Sequence, residues 1–435
     1  MNLESQIAVL LLAYTILSYS IHVIARYLKD LIVNVLSIAT GIAMAYLCFN
    51  ARGVAGLIGS MGVLTLIVSL LIAELYRVER RAMFSMLGVY FVGTSILLLI
   101  TDSALRLFIY WEIIAMVMIG SLALYRSNDG YEAALKYAII CLPSSIVGLF
   151  GLILAISETG SLAFPELLLG AASLSKALMA IGFGAEIALF PMYVWLPSVY
   201  VGMHPLLLAV EVSSILPATS YIVGTIASMS PATALVISSL ALIGSLVGSL
   251  SSIVQGDLRK LLSYSTLSQI GYIVLGLSAG TTLARSYSIL QMIAHEIPKA
   301  SLLLISFALL SRLKTSEVNS LSRLGGSYKF VVIGSALALL GLPPFLSFWS
   351  ELYIFLGTFS AGTPWNILAI VYFTAIVLST GYAFKIIYTY AEGAAESERI
   401  GTDAMGLLIL LFFLLSILLS PLQSSILQYF LGFSP

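Results

Sequence analysis

Apolar runs long enough to cross a lipid bilayer follow one another along almost the whole chain, joined by short connections. About fourteen are read, near 6–26, 31–50, 53–76, 82–101, 104–125, 132–156, 170–195, 203–227, 232–254, 260–280, 286–310, 329–357, 364–390 and 405–432. Of 435 residues, 60% are hydrophobic and only 9% charged, against about 25% charged in an ordinary soluble domain. A water-soluble fold of this size needs far more polar surface, so the solvent here is mostly lipid. No connection is long enough to hold a soluble domain. Residues 1–435 therefore read as a single all-α polytopic membrane domain, embedded in a cell (plasma) membrane.

Composition excludes several function classes. Twenty basic and 20 acidic side chains leave zero net charge, so nothing favours a nucleic-acid partner. The start, "MNLESQIAVLLLAY", lacks the positive n-region and small-residue cleavage site of a signal peptide and reads as a retained first membrane helix. Cys48 and Cys141 lie inside apolar runs. Two cysteines are too few for an all-cysteine iron–sulfur site, and their spacing fits no zinc motif. Three histidines in separate segments make no haem or metal cluster. No cofactor is expected.

The basic residues test the helix count. Connections after odd-numbered runs carry fifteen: Arg26, Lys29, Arg77, Arg80, Arg81, Arg126, Lys136, Arg259, Lys260, Arg312, Lys314, Arg323, Lys329, Lys385 and Arg399. Even-numbered connections carry Arg52, Arg106 and Arg285. A helix missed in mid-chain would wash out this asymmetry. By the positive-inside rule the odd connections are cytoplasmic and both termini face outward. Lys176 and Lys299 remain, both within runs.

Two stretches resemble each other, "EIALFPMYVWLP" (186–197) and "GLPPFLSFWSELY" (341–353). Each combines a proline break, aromatic residues and a carboxylate at membrane depth. Five runs separate the seventh from the twelfth, which puts the two in opposite orientations, as inverted repeats do in many transporters. The reading is two inverted five-helix repeats, 82–227 and 232–390, with runs seven and twelve broken. Broken helices survive at membrane depth only where protein packs them or they line a wet cavity.

An ionised side chain at the bilayer centre costs about 2.5–3.5 kcal/mol on insertion scales. The chain nevertheless places Glu112, Glu186, Glu211, His295, Lys299 and Glu351 near mid-span or beside a proline break. Burial disfavours the charged form of carboxyl and ammonium alike, and groups held near neutrality can take up and release protons. Blander roles stand beside this one. Glu112 could be a permanently protonated carboxyl bonded to a serine or a carbonyl, and Glu211 has Ser213 and Ser214 as local partners. His295 and Lys299, one turn apart on a shared face, could serve packing or capping, and Pro298 lies between them. Glu296 is read as pointing elsewhere. Lys176 is expected to snorkel to the outer interface. Lys136, Lys176 and Lys385 are secondary candidates. The "GFG" before Glu186 is a close-packing feature, because no strand precedes it as a phosphate loop requires.

Several stretches then resemble one family in order: "WEI" (111–113), "ALKYAIICLPSSIVGLFG" (134–151), "ALFPMYVWLP" (188–197), "DLRKLLSYSTLSQIGYIVLG" (257–276), "HEIPKASLLL" (295–304) and "GLPPFLSFWSE" (341–351). They are similar to the antiporter-like subunits shared by respiratory complex I, Mrp-type sodium/proton antiporters and membrane-bound hydrogenases. The likeness covers residues 80–390, and 257–276 is its most specific part. It implies a fourteen-helix core with two inverted five-helix repeats and broken seventh and twelfth helices. Glu112 resembles the helix-five glutamate of a half-channel, and Lys299 and His295 the central basic residues. Glu351 occupies a twelfth-helix position that is lysine or glutamate in members.

The chain departs from the family where Glu186 replaces a lysine that pairs with the helix-five glutamate. Pro217 stands at an eighth-helix position often held by lysine, and Glu211 where some members have histidine. Lys176 cannot substitute, since ten residues of straight helix put it about 15 Å from Glu186. Two nearby carboxyls do not both ionise easily in a low dielectric, so Glu112 and Glu186 are expected to share one proton.

The resemblance implies a proton-translocating subunit of a redox complex, itself without cofactor or redox chemistry, with conformational or electrostatic coupling to electron transfer elsewhere. Its expected partners are lipid, other antiporter-like and small membrane subunits, and peripheral subunits carrying iron–sulfur clusters. A cation/proton antiporter without a redox partner and a non-pumping assembly scaffold are the alternatives. The chain stops at Pro435 soon after the last run, so the lateral helix of one class of members is expected to be missing and a mid-assembly place is expected. Replacing Glu186 with Gln is expected to abolish ion transport, measured as pumping in membrane vesicles; wild-type pumping in that variant refutes the shared-proton pair.

Overall fold

The computed structural model describes residues 2–24, 29–51, 53–393 and 400–433. Arg26, Arg52 and Arg399 of the charge count lie outside the described residues, as does the side chain of Lys29. In chain order the helices are α1 (Leu3–Ile24), α2 (Lys29–Ala51), α3 (Gly53–Leu75), α4 (Arg81–Ile100), α5 (Ala104–Ala123), α6 (Asn128–Thr159), α7 (Leu167–Gly170), α8 (Ser173–Gly184) and α9 (Leu196–Gly202). They continue with α10 (Pro205–Ser228), α11 (Pro231–Ile253), α12 (Leu258–Ser278), α13 (Thr282–Leu313), α14 (Ser327–Leu339), α15 (Leu346–Ser360), α16 (Trp365–Ala391), α17 (Ala404–Leu418) and α18 (Gln423–Leu431). Among the described residues β pairing is limited to isolated bridges.

Among the described residues, 11 helical segments are long and apolar enough to cross a membrane. Three of the expected runs do not qualify, each for a visible reason. The run at 170–195 ends its helix at Gly184 and becomes turns until Leu196. The run at 329–357 divides into α14 and α15 around the Gly341–Pro344 turn. Helix α12 is long enough, at 21 residues, but "SYSTLSQ" (263–269) fills its middle with hydroxyl and amide side chains.

Helices α10 and α13 form the centre, with 94% of the spanning window of each buried. Helix α10 packs on α3, α4, α12 and α13, and α13 adds α14, α15 and α17. A helix enclosed on every side needs no polar face, and these two bury Glu211, His295, Glu296 and Lys299. Around them α1, α6 and α16 leave most of their surface outside, carrying exposed Leu135, Ile139, Phe150, Ile370 and Phe373.

Local signals explain the ends. Ser103, Ser127, Asp257, Thr281 and Asp403 cap α5, α6, α12, α13 and α17, each side chain accepting a backbone N–H of the first turn. Two of these caps sit in corresponding places. Ser103 forms an antiparallel bridge with Ala163, just after α6, and Asp257 forms one with Glu317, just after α13. Helices α6 and α13 are each 32 residues long with an internal proline, Pro143 and Pro298. Either proline leaves the carbonyl four residues earlier without its helical partner.

At one end Asp403 gathers four elements. It accepts hydrogen bonds from Tyr328 (2.6 Å), Tyr76 (3.0 Å) and the Gly406 N–H (2.8 Å), and pairs with Arg312. Burial pulls the Asp403 carboxyl up, but the Tyr328, Gly406 and Tyr76 donors and the Arg312 charge outweigh it and hold the carboxyl below its usual value.

Helices α6 and α8 approach backbone to backbone, as small residues allow in membranes. A Cβ on Gly182 would collide with the backbone of Gly148 and lie 2.7 Å from the Ser144 carbonyl. Gly182→Ala is expected to destabilise the protein by about 1–3 kcal/mol through overpacking, read as a lower thermal midpoint in detergent. Gly256→Ala, which would meet nothing within 4 Å, is the control and leaves that midpoint unchanged.

Candidate functional site

Where α8 stops, the chain makes turns that keep Glu186 inside the protein. The N–H groups of Ala188, Leu189 and Met192 bond the carbonyls of Ala185, Gly184 and Leu189 at 3.0, 2.9 and 2.7 Å. Ala188 takes a left-handed φ of 55°, a conformation that costs a non-glycine residue about 1–2 kcal/mol. Neighbouring side chains satisfy the opened backbone: the Ala185 carbonyl accepts Trp195 Nε1 at 3.0 Å and the Cys141 thiol at 3.8 Å. The Glu186 side chain is 5% exposed, and its Oε1 accepts the Tyr137 hydroxyl at 2.5 Å. Tyr137 is itself held edge-on against Trp195, ring centres 5.2 Å apart.

Glu112 of α5 lies close enough for its charge to act on Glu186, and Glu186 in turn acts on buried Glu211 of α10. Glu112 Oε1 is buried without a hydrogen-bond partner among the described residues. The fold thus brings three carboxyls from three segments together. Among the described residues no group of three or more His, Cys, Asp or Glu converges as a metal site.

The next node is basic. Lys299 of α13 is fully buried, and its Nζ donates to the Leu262 carbonyl at 3.0 Å and to the Thr266 hydroxyl at 2.5 Å. Thr266 also shares a 2.6 Å hydrogen bond with the Tyr200 hydroxyl. Tyr200, from α9, lies within reach of the Glu211 charge. Two hydroxyls therefore stand between the acidic cluster and the lysine. His295, one turn before Lys299, is buried, and its Nε2 has no partner among the described residues.

The third node surrounds Glu351 of α15. Its Oε1 accepts Gln291 Nε2 at 3.3 Å and Gln269 Nε2 at 3.5 Å, and Gln291 Nε2 also donates to Gln269 Oε1 at 2.7 Å. The Ser350 hydroxyl donates to Gln291 Oε1. The carboxylate lies directly over Gly341, where a Cβ would collide with it and where φ is +64°. Glycine is required there twice, once for the turn and once for the carboxylate.

The remaining lysines stand apart from these nodes. Lys176 does not reach the interface as expected: it is 6% exposed, and its Nζ donates to the Met229 carbonyl at the end of α10 at 3.0 Å. That orphan helix-end acceptor draws the ammonium inward. Lys385 likewise caps α11, donating to Ile253 and Gln255 carbonyls at 2.7 and 2.6 Å. Lys136 pairs with Glu132 at 2.6 Å and donates to Ser198 at 3.1 Å. Both border a polar cavity of about 440 Å³ with Asp129, Tyr193 and Lys260. Tyr193 belongs to the turn segment that carries Glu186.

A search for charges passes over Tyr137, Tyr200, Thr266, Gln269 and Gln291, which link the charged groups. The polar run "SYSTLSQ" inside an apolar segment was the available signal for two of them. Glu296 was misjudged. It is 3% exposed, and it borders a narrow cavity together with His295.

Fold and site together define a polytopic, all-helical membrane protein with ionisable groups buried in its interior. Comparison with known sequences makes this specific. The profile of the NADH:quinone oxidoreductase/Mrp antiporter transmembrane family matches residues 101–379, and the chain belongs to that family. A relative, NADH-quinone oxidoreductase subunit N of Desulforudis audaxviator, is 29% identical over 69% of this chain and 64% of its own length. The chain thus spans less than two thirds of that relative. Two solved structures share the fold. A chain of an archaeal membrane-bound sulfane sulfur reductase superposes with a TM-score of 0.84 at 20% identity, covering 98% of this chain and 96% of that one. A chain of the Mrp complex of a Dietzia species gives 0.78 at 19%, covering 99% and 96%.

Thr266→Val removes one of the two acceptors of Lys299 and is expected to destabilise the protein by about 1–3 kcal/mol. Thr266→Ser restores the wild-type midpoint, measured by thermal unfolding in detergent.

Proposed function

We propose that this chain is the proton-translocating, antiporter-like membrane subunit of a redox-driven complex of the complex I, membrane-bound hydrogenase or sulfur reductase kind. The observation that carries the reading is the succession of interior nodes, half-buried Glu112 with buried Glu186 and Glu211, then Lys299 with His295, then Glu351. Tyr200 and Thr266 stand in the first gap, and Gln269 and Gln291 hold the last node. Hydroxyls both donate and accept, so they can pass a proton between groups of opposite charge preference. Electron transfer takes place in other subunits, and this chain binds no redox group of its own.

The reading includes fourteen crossings, with α8–α9, α14–α15 and α17–α18 each counted as one interrupted crossing. It includes two inverted repeats, 82–227 and 232–390. The corresponding bridges at Ser103 and Asp257, and the equal lengths of α6 and α13, support that symmetry. The basic connections are assigned to the cytoplasm and both termini to the outside of the plasma membrane. Its neighbours are other antiporter-like and small membrane subunits, peripheral iron–sulfur subunits, and lipid.

Glu112 and Glu186 hold one proton between them, and Lys299 responds to its departure. In membrane vesicles holding the native complex, donor-driven proton uptake is expected to fall about 100-fold in Lys299→Met. Wild-type uptake in that variant overturns the proposal. A sodium-dependent flux that persists without electron donor selects the antiporter reading instead.

A further inference from the structure

Successive residues of a helix point about 100° apart, yet His295 and Glu296 of α13 border the same cavity. It lies between α10, α12 and α13, has a volume of about 10 Å³, and is also lined by Ser220, Thr266 and Gln269. Both carboxyl oxygens of Glu296, the Nε2 of His295 and the Oγ of Ser220 are buried without a hydrogen-bond partner among the described residues. Glu296 is 3% and His295 4% exposed. An unpaired buried carboxyl is costly in either protonation state: the anion lacks donors, and the acid lacks an acceptor for its O–H. Four unpaired polar atoms belong to three residues that line one small space, and buried polar groups are rarely left unpaired.

We propose that this cavity holds a single bound water, and that Glu296 is an additional proton-exchanging residue of the path in this chain. The inference rests on the proton-translocating reading above. A space of this size admits about one water, which needs two to four polar partners, and Glu296, His295 and Ser220 supply them. Water donates to the carboxylate or accepts from the acid, so it satisfies Glu296 in both states.

A bare cation fits less well. The Thr266 oxygen is taken by Lys299 and Tyr200, and the Gln269 oxygen by Gln291.

The position gives the water its use. Thr266 belongs to the Lys299 node and Gln269 to the Glu351 node, and this cavity borders both. The transfer step balances. Glu296 gives its proton to the water as the water gives one of its own to Nε2 of neutral His295, leaving carboxylate and imidazolium. The reverse transfer resets the pair.

The test uses the assembled complex. High-resolution cryo-EM is expected to resolve one density peak bridging Glu296 and His295, lost in Glu296→Leu. Donor-driven proton uptake in Glu296→Gln, which keeps the side chain's shape, is expected to fall about tenfold or more. Glu186→Gln is measured in parallel. If Glu186→Gln is inactive while Glu296→Gln pumps at the wild-type rate, this inference fails and the wider reading stands. If Glu186→Gln itself pumps normally, the wider reading fails. Ordered side chains with no peak between them, or replacement of the peak by thallium(I) on exchange, overturns the water assignment.

Discussion

In hydrocarbon a polar side chain can bond only with the protein around it, and the interior of this chain is arranged by that limit. Helices α10 and α13 carry Glu211, His295, Glu296 and Lys299 because they are the two helices enclosed almost completely by others. A carboxyl or ammonium on α6 or α16 at mid-depth would face lipid from most directions. The rim therefore carries leucine, isoleucine and phenylalanine, and ionisable groups withdraw to the centre.

The same limit explains where regular helix is given up. A helix satisfies its own backbone but leaves nothing over to hold a side chain such as Glu186. Ending α8 at Gly184 opens backbone groups, and the tryptophan and thiol that serve the Ala185 carbonyl belong to the shell that encloses the carboxylate. The turn at Gly341 does the corresponding work for Glu351: its missing side chain is the space the carboxylate fills. Irregular backbone and buried charge occur together because each supplies what the other lacks. The capping lysines illustrate the contrast. Lys176 and Lys385 also find carbonyls, but at helix ends, where an ammonium completes a terminus.

Much of this was legible beforehand. Membrane-length apolar runs, the two proline-broken stretches and six isolated ionisable residues stand out because each departs from a uniform apolar background. Thr266, Gln269 and Gln291 do not, since neutral polar residues are tolerated in membrane helices and show their role only when a partner is in view. Helix α12 fell short of the apolarity of a spanning segment for the same reason, its polar middle facing Lys299 and Glu351 rather than lipid. Glu296 was set aside on helical geometry alone. One helix drawn by itself cannot reveal a cavity made with two others.

The sequence by itself determined the solvent, the helical class and the residues that would be expensive to bury, because hydropathy and charge are properties of single residues and their near neighbours. Which of those residues meet was decided only by the tertiary structure. Glu112 and Glu186 come from segments separated by the whole of α6, and Tyr200 reaches Thr266 across 66 residues of chain. Lys176 turned inward for the same reason. A helix terminus elsewhere in the bundle offered it a carbonyl, and no local pattern records where such a terminus will lie.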